Sequence, residues 1–289
     1  MSGSSTLESP IGVFDSGVGG LTVLRALRQA LPDESMLYLG DTARLPYGTK
    51  SADTIIRYAL QATAVLVERG AKLLVIACNT ASTYALDALR DRYPHLPVIG
   101  VVEPGAATAC AASRNGRIAV IATEGTARAG AYDAAIRRLR PNAVVTSAGA
   151  PLLVGLAEEG WFEGPVPEAV ARRYLAPLFE TGSAAENGNP PDTLVLGCTH
   201  FPLLRTAIQA VVGLDVALVD GGMAAASLAA EALAARGLAA RSGMLPATRF
   251  LATDGAERFA RVAQHFLSFP IDASMVELVD LQGIAAVAA

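Results

Sequence analysis

The stretch "LVIACNTAS", residues 74–82, decides how this chain is read, because "LVLGCTHFP", residues 194–202, repeats its form. Each is an apolar run that ends at one cysteine, followed by a small polar residue and a helix start. Apolar runs of this length fit strands buried on both faces, as parallel sheets require. Working outward, the same pattern continues on both sides. "IGVF" (11–14), "MLYLG" (36–40), "LLVIA" (73–77) and "VIGVV" (98–102) read as strands. Helical patterns at 20–31, 52–69 and 81–92 separate them, the second with Ser51 as N-cap and Gly70 as C-cap. The pattern restarts with strands "RIAVIAT" (117–123), "AVVTSAG" (143–149), "TLVLG" (193–197) and "VALVD" (216–220). Helices are expected at 129–139, 166–180, 202–211 and 223–236, with a loop, "GSAAENGNPP", at 182–191.

Strand–helix alternation implies an α/β fold with mostly parallel sheets covered by helices. The two halves also align: "IGVFDSG" (11–17) matches "IAVIATEGT" (118–126), and the two cysteine stretches match each other. Chemistry in such sheets sits beyond the C-terminal ends of the strands. The expectation is two pseudo-symmetric domains, each a mostly parallel sheet flanked by helices, with the active site in the cleft between them.

Composition narrows the function classes. A chain of 289 residues suits one large or two medium domains and can bury a core without staples. The net charge is −4, with no basic stripe, so nucleic acid is a poor partner. Three cysteines argue against a disulfide framework and fit a reducing cytoplasm. No apolar stretch spans a membrane; residues 59–81 are interrupted by Glu68, Arg69 and Lys72. About ten residues at the front, 1–10, are expected to be disordered.

A cysteine at a strand end before a helix start meets orphan N–H donors and the positive end of the helix dipole, which favour a thiolate. One such thiol can be a nucleophile. Two, on opposite faces of one carbon, suit a different role, in which one removes a proton and the other returns one from behind. Acid–base work of this kind needs groups oriented by partners. Asp15 closes the first strand, and His200 lies two residues past Cys198. Cys110, in "ATACAAS", has no such context and reads as helix packing.

"VFDSGVGGLTVL", "YLGDTARLPYG", "VIACNTAS", "VLGCTHFPLL" and "FLATDGAERFARVAQHFL" together resemble bacterial glutamate racemase, of the aspartate/glutamate racemase superfamily, from about residue 10 to 282. The resemblance implies cofactor-independent interconversion of L- and D-glutamate for peptidoglycan synthesis. Cys78 would take the Cα proton from D-glutamate and Cys198 from L-glutamate, with Asp15 assisting Cys78, and His200 and Glu158 assisting Cys198. Asp15, Ser16, Pro46, Tyr47, Gly48, Asn79, Thr80, Thr123, Thr126, Thr199 and His200 would line the substrate site. Hydroxyls and helix-start N–H groups suit the carboxylates of glutamate. The domains would be discontinuous, 1–103 with 213–289, and 104–212 between them. The resemblance leaves open a homodimer and a cell-wall precursor as activator. Three positions depart from the family pattern: Gly221 in "VDGGMA", Ala150 in "SAGAPLL" and Ala129 in "TARAGAY".

Competing readings stay open on residues alone. Cys198-Thr199-His200 is half a metal site, but no further ligands stand at metal spacing, so no metal is expected. The same pair is a Cys–His nucleophile for a thiol hydrolase, which leaves Cys78 unexplained. A related racemase or decarboxylase acting on another acid, such as aspartate, shares the thiols. "DSGVGGLT" (15–22), with Asp41 ahead, approaches a dinucleotide fingerprint, but Thr22 stands where its third glycine belongs.

Overall fold

The computed structural model describes residues 6–179, 189–243 and 245–281. The chain forms two compact units, one of Met1–Val101 with Gly222–Ala289, the other of Val102–Gly221. The first begins with β1 (Ile11–Asp15), α1 (Leu21–Ala30), β2 (Met36–Gly40), α2 (Ala52–Glu68), β3 (Leu73–Ile76), α3 (Asn79–Tyr84), α4 (Leu86–Arg92) and β4 (Val98–Gly100). The second holds α5 (Val102–Ala112), β5 (Arg117–Ala122), α6 (Glu124–Ala129), α7 (Ala131–Leu139), β6 (Val144–Gly149), α8 (Leu152–Glu158), α9 (Pro165–Phe179), β7 (Thr193–Gly197), α10 (Arg205–Val212) and β8 (Ala217–Val219). The chain then returns to the first unit with α11 (Gly222–Ala235), β9 (Thr248–Ala252), α12 (Ala256–Ala263) and β10 (Val276–Leu278).

The first sheet has the order β10-β9-β2-β1-β3-β4 and the second β6-β5-β7-β8. Every strand pair is parallel. The order β2-β1-β3-β4 therefore recurs as β6-β5-β7-β8, which pairs β1 with β5 and β3 with β7. This is the correspondence that the repeated stretches imply. Strands β1, β2, β3 and β7 are buried at every residue, as helices on both faces demand.

Helix α2 shows how local rules set an element. Ser51 Oγ accepts from Thr54 N at 3.4 Å, capping one orphan N–H. Ile55, Ala59, Ala62 and Leu66 form a buried stripe at helical spacing. Gly70, at φ +85°, ends the helix, where its N–H donates to Val67 O and the N–H of Ala71 to Leu66 O. Gly12 lets this helix approach the sheet, since a Cβ there would lie 2.9 Å from Leu74 Cδ2 and 3.2 Å from Leu66 Cβ.

Several boundaries differ from the sequence reading. The expected helix 81–92 starts at Asn79 and breaks at Ala85 into two. The strand drawn over 98–102 stops at Gly100, and Val102 already opens α5, whose Pro104 sits in the first turn where no N–H is needed. The helix drawn over 129–139 starts at Ala131, after Gly130 at φ +64°, and a separate short helix, α6, precedes that glycine. Residues 213–221 stay with the second unit instead of returning at 213, because β8 pairs with β7 (Thr193 opposite Ala217). Most of the expected 182–191 loop, and residue 180 of the expected 166–180 helix, lie outside the described residues.

Disorder is the expectation for the whole front segment. Residues 1–5 lie outside the described residues, but Leu7 is held. Lys72, fully buried, donates from Nζ to Leu7 O and Leu238 O, each at 2.8 Å, and pairs with Glu34 Oε2 at 2.6 Å. Glu34 Oε1 accepts from Ala240 N at 2.7 Å. One ammonium thus ties the front segment, the turn before β2 and the chain after α11. Lys72→Ala, which leaves a buried carboxylate without its cation, is expected to cost about 3–5 kcal/mol of unfolding free energy in urea titrations. Lys72→Met combined with Glu34→Gln removes both charges at similar volume and should cost less than the single change.

Candidate active site

In the first unit, β1 and β3 are neighbours, with Phe14 opposite Ile76. Asp15 and Cys78 therefore emerge from adjacent strand ends. Cys78 is the N-cap of α3, and its Sγ accepts from Ala81 N at 3.4 Å. Asn79 and Thr80 open that helix and are buried. Ser16 Oγ lies 3.4 Å from Cys78 Sγ. Asp15 is buried, and its Oδ2 accepts from Gly17 N at 2.9 Å. That N–H, which a phosphate would need, is already engaged, so "DSGVGG" does not work as a dinucleotide loop. Its glycines serve packing: a Cβ at Gly20 would lie 2.5 Å from Asp15 Cβ. The turn of Tyr47–Thr49, preceded by Pro46 and including Gly48, packs on α3.

In the second unit, β5 and β7 pair with Ala122 opposite Gly197, so Thr123 and Cys198 emerge side by side. Thr123 caps α6: its Oγ1 accepts from Thr126 N at 3.3 Å, and Thr126 is buried. Cys198 and Thr199 are buried at the end of β7. His200 Nδ1 stands 3.7 Å from Cys198 Sγ, and its Nε2 stands 3.2 Å from Glu158 Oε1 at the end of α8. Of the acidic pair, Glu158 reaches the imidazole, whereas Glu159 is exposed. Burial draws the His200 pKa down, but the hydrogen bonds to Cys198 and Glu158 outweigh it and push it up to about 10. His200 thus bridges Cys198 and Glu158, and both contacts favour its protonated form.

Each unit adds a buried tyrosine that sequence reasoning does not single out. Tyr38 of β2 donates its hydroxyl to Gly17 O at 2.9 Å. Burial, then the nearby Asp15 and Cys78, hold its pKa well above the usual phenol value. Tyr132 of α7 is held high by burial, Asp220 and Cys198. The available signal is a phenol at an apolar position of its element, in line with the buried residues of β2 and α7. Cys110 lies half-buried in α5 with Sγ 3.8 Å from Ile136 O, in helix packing as expected. Ala150 is buried in the apolar cluster with Leu153, and Ala129 is exposed at the end of α6. Gly221 Cα lies 3.4 Å from where a Cβ on Gly105 would stand. Among the described residues, no three His, Cys, Asp or Glu side chains group as a metal site. No described helix is long and apolar enough to cross a membrane.

The family model for Asp/Glu/hydantoin racemase matches residues 11–229. A curated glutamate racemase from Geobacter metallireducens is 48% identical over 257 residues, covering 89% of this chain and 92% of its own. The chain belongs to the glutamate racemase family. Solved racemases share its fold. That of Francisella tularensis, in complex with D-glutamate, superposes with a TM-score of 0.85 at 36% identity, covering 96% of this chain and 99% of its own. That of Escherichia coli, in complex with L-glutamate and the activator UDP-MurNAc-ala, gives 0.72 at 34% identity, covering 89% and 95%. The racemase activity and the α/β fold expected from the sequence are borne out by these likenesses.

The raised His200 pKa sets a pH dependence. A group whose pKa is higher folded than unfolded stabilises fully below its unfolded value of about 6.5. That contribution is lost as pH rises through the folded value of about 10. NMR of ring-labelled histidine in this racemase should show His200 titrating near 10, and Glu158→Gln should move that titration down. The fall in stability between about pH 6.5 and 10 should be shallower in His200→Gln.

Proposed function

We propose that this racemase inverts Cα of glutamate by a two-thiol acid/base mechanism, with no cofactor. The observation that carries the reading is the matched pair of strand-end thiols. Cys78 and Cys198 leave equivalent strands of two sheets with the same order, each beside a helix or turn start and each with its own polar neighbours. The mechanism asks that the two thiols meet opposite faces of one substrate Cα, and so that both units hold one glutamate.

From L-glutamate, the Cys198 thiolate takes the Cα proton and becomes a thiol. The electron pair left on Cα, shared with the adjacent carboxylate, accepts a proton from the Cys78 thiol on the other face. D-glutamate leaves with Cys198 as the thiol and Cys78 as the thiolate; proton exchange with water resets the pair for the next L-glutamate, and from D-glutamate the same steps run in reverse. No atom is gained or lost. His200, held protonated between Cys198 and Glu158, orients Cys198 and supplies positive charge beside it. Ser16, whose Oγ lies 3.4 Å from Cys78 Sγ, and Asp15 on the adjacent strand end would orient Cys78. Asn79, Thr80, Thr123, Thr126 and Thr199, with the turn at Pro46, Tyr47 and Gly48, would hold the carboxylates and ammonium through hydroxyls, amides and backbone N–H groups.

The D-glutamate would serve peptidoglycan synthesis in the cytoplasm. That setting rests on the sequence resemblance, and the UDP-MurNAc-ala activator of the Escherichia coli relative fits it. Activation of this chain by such a precursor, and a homodimer, rest on the same ground.

The test is incubation with L-glutamate in heavy water without added cofactor. D-glutamate carrying deuterium at Cα should form. Cys78→Ser and Cys198→Ser should each lose about 10²–10⁴-fold in racemisation rate, the usual scale of a positioned acid or base. Racemisation by Cys78→Ser at the wild-type rate would refute the mechanism.

A further inference from the structure

We propose that Asp41 is a positioning residue for racemisation, a buried carboxylate that holds the 46–48 turn in place through the Tyr47 hydroxyl. The proposal rests on the reading above that this turn lines the glutamate site. Asp41 follows the last residue of β2 and is fully buried. In the sequence it stands out only as the acid of an apparent dinucleotide fingerprint, but its carboxylate is buried and both its oxygens already accept from protein donors.

Its surroundings consist of donors. The Tyr47 hydroxyl donates to Oδ2. Arg44 Nε donates to Oδ2 at 2.7 Å and to Oδ1 at 3.0 Å. Thr253 Oγ1 donates to Oδ1 at 3.0 Å. Both carboxylate oxygens are thus engaged as acceptors, a demand an amide cannot meet, because its NH₂ would face donors. Burial, then the Asp41 charge, keep the Tyr47 phenol far above its usual pKa, so it remains a donor.

The contacts lead from Asp41 to the thiol. Asp41 N donates to Asp15 O at 3.0 Å, joining it to the end of β1. Tyr47 and Cys78 belong to one buried cluster with Phe14 and Ala81. The turn carrying Tyr47 packs on α3, the helix that Cys78 caps. On its other side the loop is stitched to the returning chain after β9. Ala43 N donates to Thr253 Oγ1 at 2.9 Å, and Thr42 Oγ1 donates to Asp254 O at 2.6 Å. Asp41 is where the turn, the end of β1 and the late-arriving tail share one charge.

The experiment compares full-length wild type with Asp41→Asn, Tyr47→Phe and the double variant, in steady-state kinetics in both directions beside thermal unfolding. A displaced turn weakens substrate and transition state alike, so the loss should lie in KM more than kcat. Asp41→Asn is expected to raise KM at least tenfold. Tyr47→Phe, which removes only the donating hydroxyl, should reproduce most of that rise. The double variant should be no worse than the poorer single, because the two residues act through one bond. Unchanged KM in both single variants, whatever the melting temperature does, overturns the proposal. Should Asp41→Asn fail to fold, the KM of Tyr47→Phe decides alone. Cys78→Ser, assayed in parallel, reports separately on the thiol mechanism, so the two ideas fail by different results.

Discussion

A parallel strand covered by helices on both faces has no side on which to offer chemistry, so its functional groups gather at its end. That constraint organises everything described above. At the strand end the next helix begins with N–H groups that lack partners, and something must meet them. In the first unit the group that does so is a thiol, Cys78 Sγ on Ala81 N. In the second it is a hydroxyl, Thr123 Oγ1 on Thr126 N. The atoms that meet the capping requirement of the backbone are among those to which the proposed mechanism gives a role.

The two units solve the support of their thiols differently. Cys198 has a titratable relay, an imidazolium braced by a carboxylate. Cys78 has the Ser16 hydroxyl beside it, and Asp15, at the adjacent strand end, accepts from its own turn. A reaction run in both directions between mirror-image substrates does not demand mirror-image machinery. Under the proposed mechanism each side needs only a thiol of the right protonation state, held at a fixed place.

The strands are legible in the sequence because parallel sheets demand uninterrupted apolar runs, and β1, β2, β3 and β7 are such runs. The same feature misleads at Val101 and Val102, where an apolar β-branched pair opens a buried helix instead of extending a strand. Helix α8 does not stand out in "LLVGLAE", because a short stretch with a central glycine has little helical signature. Strands β9 and β10 and helix α12 lie in a tail whose motif is recognisable while its elements are not. At the site, residue type and resemblance suffice to find the cysteines, His200 and Glu158. They do not bring out the surroundings of Asp41, Tyr38 and Tyr132, because those are set by partners distant along the chain, up to 212 residues for Asp41 with Thr253.

The interrupted first unit has a consequence for how the protein is made. The second unit is continuous, so all of its residues are in place once Gly221 has emerged from the ribosome. The first cannot be completed then, because α11, which packs on α1, β3 and β4, and β9, which pairs with β2, are still to be synthesised. Until they arrive, β2 presents an open edge of apolar residues, the kind of surface that invites pairing with other chains. As the chain is made, its second unit therefore has all its parts before the first does, although the first begins earlier.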